Sequence, residues 1–154
     1  MKKAHVIGTK VSKSLSPIIF GYWFKKYNIS AEYSFKEINE DIFDKEIKKI
    51  LEDKSVCGFN VTIPFKEKII KHINISDTHT KSIGAVNCVT KTDNGFEGTN
   101  TDFIGFEKSI RWQEENGVSK LEKKETALVI GYGGAAKAII YSLIKTGFKK
   151  RGLV

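Results

Sequence analysis

The stretch CGFNVTIPFKEKIIKH, residues 57–72, is the part of the sequence that decides the fold. Its first half alternates apolar with short polar residues as far as residue 63, a pattern typical of a β-strand with one buried face. Pro64 cannot donate a ladder hydrogen bond, but it suits the first turn of a helix, where its missing N–H would have no partner anyway. The sequence therefore predicts a strand over 57–63 and then a helix, with Lys66 in the first helical turn.

The predicted position of Lys66 suits a chemical role. A helix N-terminus carries roughly half a positive charge, so it favours the neutral amine of a lysine over the ammonium ion. A lysine in such a place can transfer a proton near neutral pH. A solvated lysine on a short helix is an equally good interpretation of this stretch alone.

The composition limits the class of protein. The chain has 154 residues, of which 40% are hydrophobic, so one domain of ordinary size with a real core is expected. No apolar run is long enough to span a bilayer, and the N-terminal MKKAHVIGTK lacks the apolar stretch of a signal peptide. Cys57 and Cys88 form no redox or metal motif, so we expect a reduced protein in the cytoplasm.

The charge and histidine patterns argue against two further classes of site. The net charge of +8 is compatible with nucleic-acid binding, but the lysines are scattered, often beside acidic residues, and no arginine-rich run accompanies them. We therefore expect a small-molecule partner and neither a nucleic acid nor a membrane. The three histidines lack metal-ligand spacing, so no metal site is predicted.

Strand and helix patterns alternate along the first half of the chain. Apolar runs predict strands over 4–8 and 32–37, each followed by an amphipathic helix, and residues 57–72 complete the series. This order is typical of an α/β fold with a mostly parallel sheet, right-handed crossovers and helices on both faces. The turn DNG at 93–95 predicts one antiparallel hairpin.

Several polar side chains follow the predicted carboxyl ends of these strands, where ligands bind in sheets of this kind. Ser16 is a candidate helix cap with Pro17 at the first helical position, and hydroxyls beside free N–H groups can hold an anion. The serines taken singly fit structural roles better than functional ones. The convergence of several such groups is what favours a site, and they are Ser14, Ser16, Asn60, Thr62 and Lys66.

A glycine-rich turn marks the last part of the chain. The apolar run 126–130 predicts a buried strand, and GYGGAA at 131–136 leads from it into a helix. Gly131 permits a tight turn, and Gly133 lets the backbone approach a pyrophosphate at the helix N-terminus. The pattern predicts dinucleotide binding, although glycine-rich turns also occur in other βα units. Residues 149–154 supply at most the start of a second strand, so the Rossmann-like unit is incomplete.

Taken together, the motifs resemble those of shikimate dehydrogenases. Five segments match in the family's order over nearly the whole chain: SKSLSP at 12–17, NVTIPFKEK at 60–68, IGAVN at 83–87, GTNTDFIG at 98–105 and VIGYGGAAKA at 129–138. The resemblance implies an oxidoreductase that interconverts 3-dehydroshikimate and shikimate with NADP(H) in the biosynthesis of chorismate and the aromatic amino acids. It also implies a monomer or homodimer.

The resemblance further implies roles by position. The serines would bind the substrate carboxylate, and Asn87 would hold ring hydroxyls. The catalytic pair would be Lys66 and Asp102, although Asp102 also fits a plain helix cap. The implied substrate-binding residues are Ser14, Ser16, Asn60, Thr62, Lys66, Asn87 and Asp102. The implied pyrophosphate-binding residues are Gly131, Gly133, Gly134 and Ala135.

Three segments follow from this comparison of motifs. We expect a substrate-binding and catalytic domain over 1–117, a polar linker over 118–125, and the truncated start of an NADP-binding domain over 126–154. A chain that lacks the other Rossmann strands should have little or no dehydrogenase activity by itself. The alternatives are an enzyme acting on quinate or an amino analogue, a preference for NAD, and a non-catalytic domain that binds a shikimate-like acid.

Overall fold

The structure is a computed structural model that describes residues 1–118 and 126–153. Two short 3-10 helices occupy Glu40–Ile42 and Lys68–His72. The strands and α-helices follow in the order β1 (Lys2–Gly8), α1 (Ser16–Lys26), β2 (Ala31–Glu37), α2 (Phe43–Glu52), β3 (Val56–Val61), α3 (Thr78–Ile83), β4 (Cys88–Thr92), β5 (Gly95–Thr99), α4 (Asp102–Glu115), β6 (Thr126–Val129), α5 (Gly134–Lys145) and β7 (Lys150–Leu153).

The first five strands form one sheet in the order β2-β1-β3-β4-β5. β1 pairs in parallel with β2 and with β3, whereas β4 is antiparallel to both β3 and β5. Val6 and Ile7 of β1 point to opposite faces, where Val6 packs with residues of α1 and Ile7 with residues of α2. These features confirm the predicted mostly parallel sheet with helices on both faces and one antiparallel hairpin.

The largest core cluster lies under β3 and anchors the segment that follows it. Phe59 and Val61 of β3 are almost fully buried, and Phe65 has no exposed surface. The rings of Phe43 and Phe65 stack with their centroids 4.2 Å apart. Full burial of such a side chain stabilises the fold by about 1.5–3 kcal/mol, so Phe65 holds its neighbour Lys66 in place.

The segment after β3 differs from the prediction. β3 ends at Val61, the Ile63–Pro64 peptide bond is cis, and residues 63–67 form turns instead of a helix. The prediction that Lys66 lies in the first turn of a helix is therefore wrong, and so is the predicted effect of a helix dipole on it. The reason is tertiary: the carbonyl of Lys66 accepts a hydrogen bond of 2.7 Å from the N–H of Val86 instead of serving a helix.

The last part of the chain forms a second, smaller sheet. β6 and β7 pair in parallel over four residues, so residues 150–153 do form a strand. The prediction of a buried strand over 126–130 is wrong for one face, because Leu128 is 64% exposed and Ile130 is 81% exposed. Most of the predicted linker, residues 119–125, lies outside the described residues.

Two kinds of feature are absent from residues 1–118 and 126–153. None of the helices there combines the length and the apolar character needed to cross a membrane. In the same part of the chain, no group of His, Cys, Asp and Glu residues could hold a metal ion. Cys57 and Cys88 are free thiols.

The buried His5 of β1 is expected to make the free energy of unfolding depend on pH. Its Nδ1 atom lies 2.9 Å from Ser34 Oγ. Burial, assisted by the positive charge of Lys36, lowers the pKa of His5 to about 4. A histidine in the unfolded chain titrates near pH 6.5, so between these values the unfolded chain binds more protons. We therefore expect the free energy of unfolding to fall as the pH drops from about 6.5 to about 4.

Urea denaturation between about pH 7 and pH 4.5 measures this effect, because most carboxylates titrate below that range. His5→Asn retains a polar group near Ser34 but does not titrate, so its unfolding free energy should change less over the same range. Equal pH dependence in the wild type and the variant would contradict the prediction.

Candidate active site

Lys66 and Asp102 meet although 36 residues separate them in the sequence. The Nζ atom of Lys66 lies 2.7 Å from Oδ2 of Asp102, and the two side chains are 13% and 31% exposed. A charge-assisted hydrogen bond in such partly shielded surroundings is stronger than a bond between neutral groups. The contact places an amine and a carboxylate side by side at the carboxyl end of β3.

Asn100 explains why the Asp102 side chain is directed at Lys66 instead of capping its own helix. Asn100 is 2% exposed, and its Oδ1 accepts hydrogen bonds from the N–H groups of Asp102 and Phe103 at 3.0 and 3.3 Å. Its Nδ2 donates to the carbonyl of Ala85 at 2.9 Å. Because Asn100 satisfies the first N–H groups of α4, the carboxylate of Asp102 is available for chemistry. The sequence reasoning missed Asn100, although asparagine two residues before a helix is a recognisable capping signal.

Asn87 holds the other oxygen of the same carboxylate. Its Nδ2 donates to Oδ1 of Asp102 at 2.7 Å, and its Oδ1 accepts from the N–H of Thr101 at 2.8 Å. The Asp102 carboxylate is therefore fixed between an ammonium group and an amide.

Asn60 and Thr62 lie at the end of β3, beside this pair. The Nδ2 of Asn60 donates to the carbonyl of Asn87 at 3.2 Å. The N–H of Thr62 donates to the carbonyl of Ile7 at 2.9 Å, which ties the residue to β1. A Cβ atom at Gly8 would lie 2.6 Å from the Thr62 methyl group, so glycine is needed there for Thr62 to pack this closely.

Ser14 lies in the loop between β1 and α1, and Ser16 is the first residue of α1. The helix begins at Ser16 itself, and the oxygen of Ser14 accepts a hydrogen bond of 3.2 Å from the Ser16 N–H. The predicted cap at Ser16 is therefore wrong, because Pro17 follows within the first turn and Leu15 is the N-cap, without a side-chain cap bond. The Ser16 hydroxyl interacts with the hydroxyl of Tyr33. This contact brings the segment 14–16, called the serine loop below, close to Asn60.

The glycine-rich loop reaches the lysine of the pair. Gly131 has φ = +112°, which favours glycine, and Gly133 caps α5 without a side-chain hydrogen bond. A Cβ atom at Gly134 would lie 2.9 Å from Cβ of Lys66, so only glycine allows this approach. Ala135 follows within α5 and is exposed. A cavity of 260 Å³ lies between the glycine-rich loop and the segment after β3. It is lined by Ile63, Pro64, Lys66, Glu67, Gly133 and Gly134.

Polar contacts from α5 keep the glycine loop beside Lys66. The Nζ atom of Lys137 lies 2.6 Å from Oε2 of Glu67. On the next turns, Nδ1 of His79 lies 2.6 Å from the hydroxyl of Tyr141, and the buried Ser142 donates to the Phe103 carbonyl at 3.0 Å. An exposed ion pair stabilises little, but these contacts together fix the position of α5.

The arrangement suits proton transfer to an oxygen of a small, anionic, hydroxyl-rich ligand. The Lys66 amine can carry a proton, and its contact with Asp102, which Asn87 also holds, can orient that amine. The serine loop offers hydroxyls and helix N-terminal N–H groups for an acid group. The first turn of α5 offers further N–H groups to a second anion such as a phosphate.

Comparisons with known proteins agree with this geometry. The family model of the shikimate dehydrogenase substrate binding domain matches residues 6–89. The shikimate dehydrogenase (NADP(+)) of Thermotoga maritima is 40% identical over 144 residues, which cover 94% of this chain and 51% of that protein. The chain thus spans about half the length of the curated relatives it matches.

Solved structures show the same fold. Shikimate dehydrogenase 1 from Peptoclostridium difficile superimposes with a TM-score of 0.85 at 31% identity, over 99% of this chain and 56% of that one. The Thermus thermophilus enzyme in complex with NADP(H) and shikimate superimposes with a TM-score of 0.78 at 26% identity, over 97% of this chain and 54% of that one.

Proposed function

Because this chain belongs to the shikimate dehydrogenase family, we propose that it carries the substrate-binding and catalytic residues for the NADP-dependent interconversion of 3-dehydroshikimate and shikimate. The contact of 2.7 Å between Lys66 Nζ and Asp102 Oδ2 is the observation that carries the proposal. The division into 1–117, 118–125 and 126–154 belongs to the same proposal, as does a cytoplasmic location, with which the free thiols are compatible.

The substrate is a ring that bears one carboxylate and several hydroxyl groups. In the proposed complex, Ser14 and Ser16 bind the carboxylate with their hydroxyls and with the N–H groups at the start of α1. The ring hydroxyls face Asn60, Thr62 and Asn87. Quinate carries a similar carboxylate and hydroxyls, so it is the competing substrate to test.

The chemical step needs a proton at the ring oxygen. A bound NADPH would supply the hydride for the ketone carbon and would be left as NADP. The Lys66 ammonium gives a proton to the oxygen, so that the C=O π bond is replaced by one C–H and one O–H bond. The neutral amine that remains takes up a proton from solvent. Asp102 accepts hydrogen bonds from Lys66 and from the ring hydroxyl, and it thereby aligns the two groups. In the reverse direction Lys66 accepts the proton.

The residues of the glycine loop fit a cofactor pyrophosphate. A Cβ atom added at Gly131 or Gly133 would meet no other atom within 4 Å, so the space beside these backbone atoms is open. The start of α5 presents N–H groups that no side chain caps. Gly131, Gly133, Gly134 and Ala135 would hold the pyrophosphate next to Lys66. The Thermotoga maritima relative is a shikimate dehydrogenase (NADP(+)), and the Thermus thermophilus enzyme binds NADP(H), which supports NADP as the cofactor here.

Calorimetric titration of the 154-residue protein with shikimate tests the proposal. Replacing both Ser14 and Ser16 with alanine should weaken binding by at least about 100-fold, because each hydrogen bond to a charged group contributes about 1.5–3 kcal/mol. Ser109→Ala, on the exposed side of α4, should bind as the wild type does. A wild type that fails to bind millimolar shikimate, or that prefers quinate, would contradict the proposal. Formation of NADPH from NADP and shikimate then reports the activity of the chain.

A further inference from the structure

Tyr33 of β2 lies next to the proposed substrate residues, although none of the sequence motifs includes it. Its ring is 8% exposed, and its hydroxyl donates a hydrogen bond of 2.8 Å to Oδ1 of Asn60. The same hydroxyl interacts with the side chain of Ser16. One tyrosine oxygen thus joins the loop before α1 to the end of β3.

The ring of Tyr33 is held firmly. It stacks on Phe20 of α1, with 4.2 Å between ring centroids and 5° between ring planes. Val6 and Val11 belong to the same buried cluster. Burial raises the pKa of Tyr33 to about 12, so the hydroxyl keeps its proton and remains a donor near neutral pH. The position and the hydrogen-bonding role of this hydroxyl are therefore set by the fold.

A fixed donor at this place determines the orientation of the Asn60 carboxamide. An asparagine side chain has an oxygen that only accepts and a nitrogen that only donates. Tyr33 donates to the oxygen, and the carbonyl of Asn87 accepts from the nitrogen at 3.2 Å. A flipped carboxamide would set Oδ1 against the Asn87 carbonyl, where two acceptors repel. Both neighbours thus select the same orientation.

The Nδ2 group of Asn60 carries two N–H bonds, and the described contacts use one of them, toward Asn87. We propose that Tyr33 is a positioning residue, which holds the Asn60 carboxamide so that its second N–H faces a ring oxygen of the substrate. This inference rests on the proposed function, because it assumes that a shikimate-like acid occupies the site.

Tyr33→Phe tests the inference with the smallest possible change, because it removes the hydroxyl and keeps the stacked ring. We expect calorimetry on the 154-residue protein to show shikimate binding about 5- to 20-fold weaker. This is the loss expected when the one hydrogen bond from Asn60 to the substrate is no longer aligned. Tyr27→Phe is the matched control, since Tyr27 directly follows α1 and is 63% exposed, and the shikimate affinity of this variant should be unchanged.

A double-mutant cycle separates positioning from a general structural role. If Tyr33 acts through Asn60, Tyr33→Phe should change the shikimate Kd by less than about twofold in an Asn60→Ala background. An equal loss in both backgrounds, or wild-type affinity in Tyr33→Phe, would overturn the inference.

NMR provides a readout that needs no substrate. The side-chain amide signals of Asn60 should shift in Tyr33→Phe and stay in place in Tyr27→Phe, and an unchanged signal in both would overturn the inference. A wild type that does not bind shikimate would contradict the proposed function, and with it the substrate role of Asn60. The NMR comparison would still show whether Tyr33 orients Asn60, so the two failures are distinguishable.

Discussion

Replacement of Lys66 by methionine is expected to reduce NADP-dependent shikimate oxidation by about 10²- to 10⁴-fold, the usual contribution of a positioned general acid or base. Methionine preserves most of the unbranched side chain that packs against the glycine loop, but it cannot carry the transferred proton. Shikimate affinity should change only a few-fold, because the serine loop and the amides still hold the ring. Turnover is measured in a fusion that continues residues 1–153 with the C-terminal half of the Thermotoga maritima relative.

Lys68→Met is the matched control for this prediction. Lys68 lies two residues away, its side chain is 44% exposed, and its ion pair of 2.5 Å is with Glu40 and not with Asp102. Loss of the Lys68 charge should leave turnover within about twofold of the wild type, since exposed ion pairs contribute little to stability. If Lys66→Met retained turnover within a few-fold of the wild type, or if Lys68→Met were equally impaired, the role assigned to Lys66 would be wrong.

Phe65→Ala is expected to lower the free energy of unfolding by about 3–5 kcal/mol, the usual cost of truncating a buried phenylalanine. Phe65 has no exposed surface and stacks on Phe43, so the substitution removes the stack and leaves a cavity in the main core. Urea denaturation measures the loss. Because Phe65 directly precedes Lys66, we also expect shikimate binding to weaken.

Phe35→Ala supplies the comparison, since Phe35 of β2 is 47% exposed and its removal should cost less than about 1 kcal/mol. Similar losses of stability in the two variants would show that the Phe43–Phe65 stack does not anchor the segment after β3.

The outline of the fold was predictable from local patterns. A short apolar run predicted the strand near 4–8, alternating apolar residues predicted the strand near 32–37, and the DNG turn predicted the hairpin between β4 and β5. These features depend on residues close together in the chain, so a single sequence contains the information. The sequence predicted at most the start of a strand after residue 149, and its pairing with β6 over four residues depends on a tertiary partner and not on its own pattern.

The candidate site was only partly predictable. The motifs selected Lys66 and Asp102, but they placed the lysine on a helix that does not exist. They also missed Asn100 and Tyr33, whose hydrogen bonds orient Asp102 and Asn60. Positioning residues of this kind are hard to find from one sequence, since an asparagine or a tyrosine is ordinary until its partner is known.

The sequence by itself determined which residue types were present at each strand end, because strand and turn preferences are local and the motif residues are read directly from the chain. Only the tertiary structure decided that the amine of Lys66 stands 2.7 Å from a carboxylate 36 positions later, and that Gly134 packs against the same lysine. The physical reason is that burial of Phe65 and the hydrogen bond from Val86 to the Lys66 carbonyl outweigh the local preference of the stretch after Pro64 for a helix.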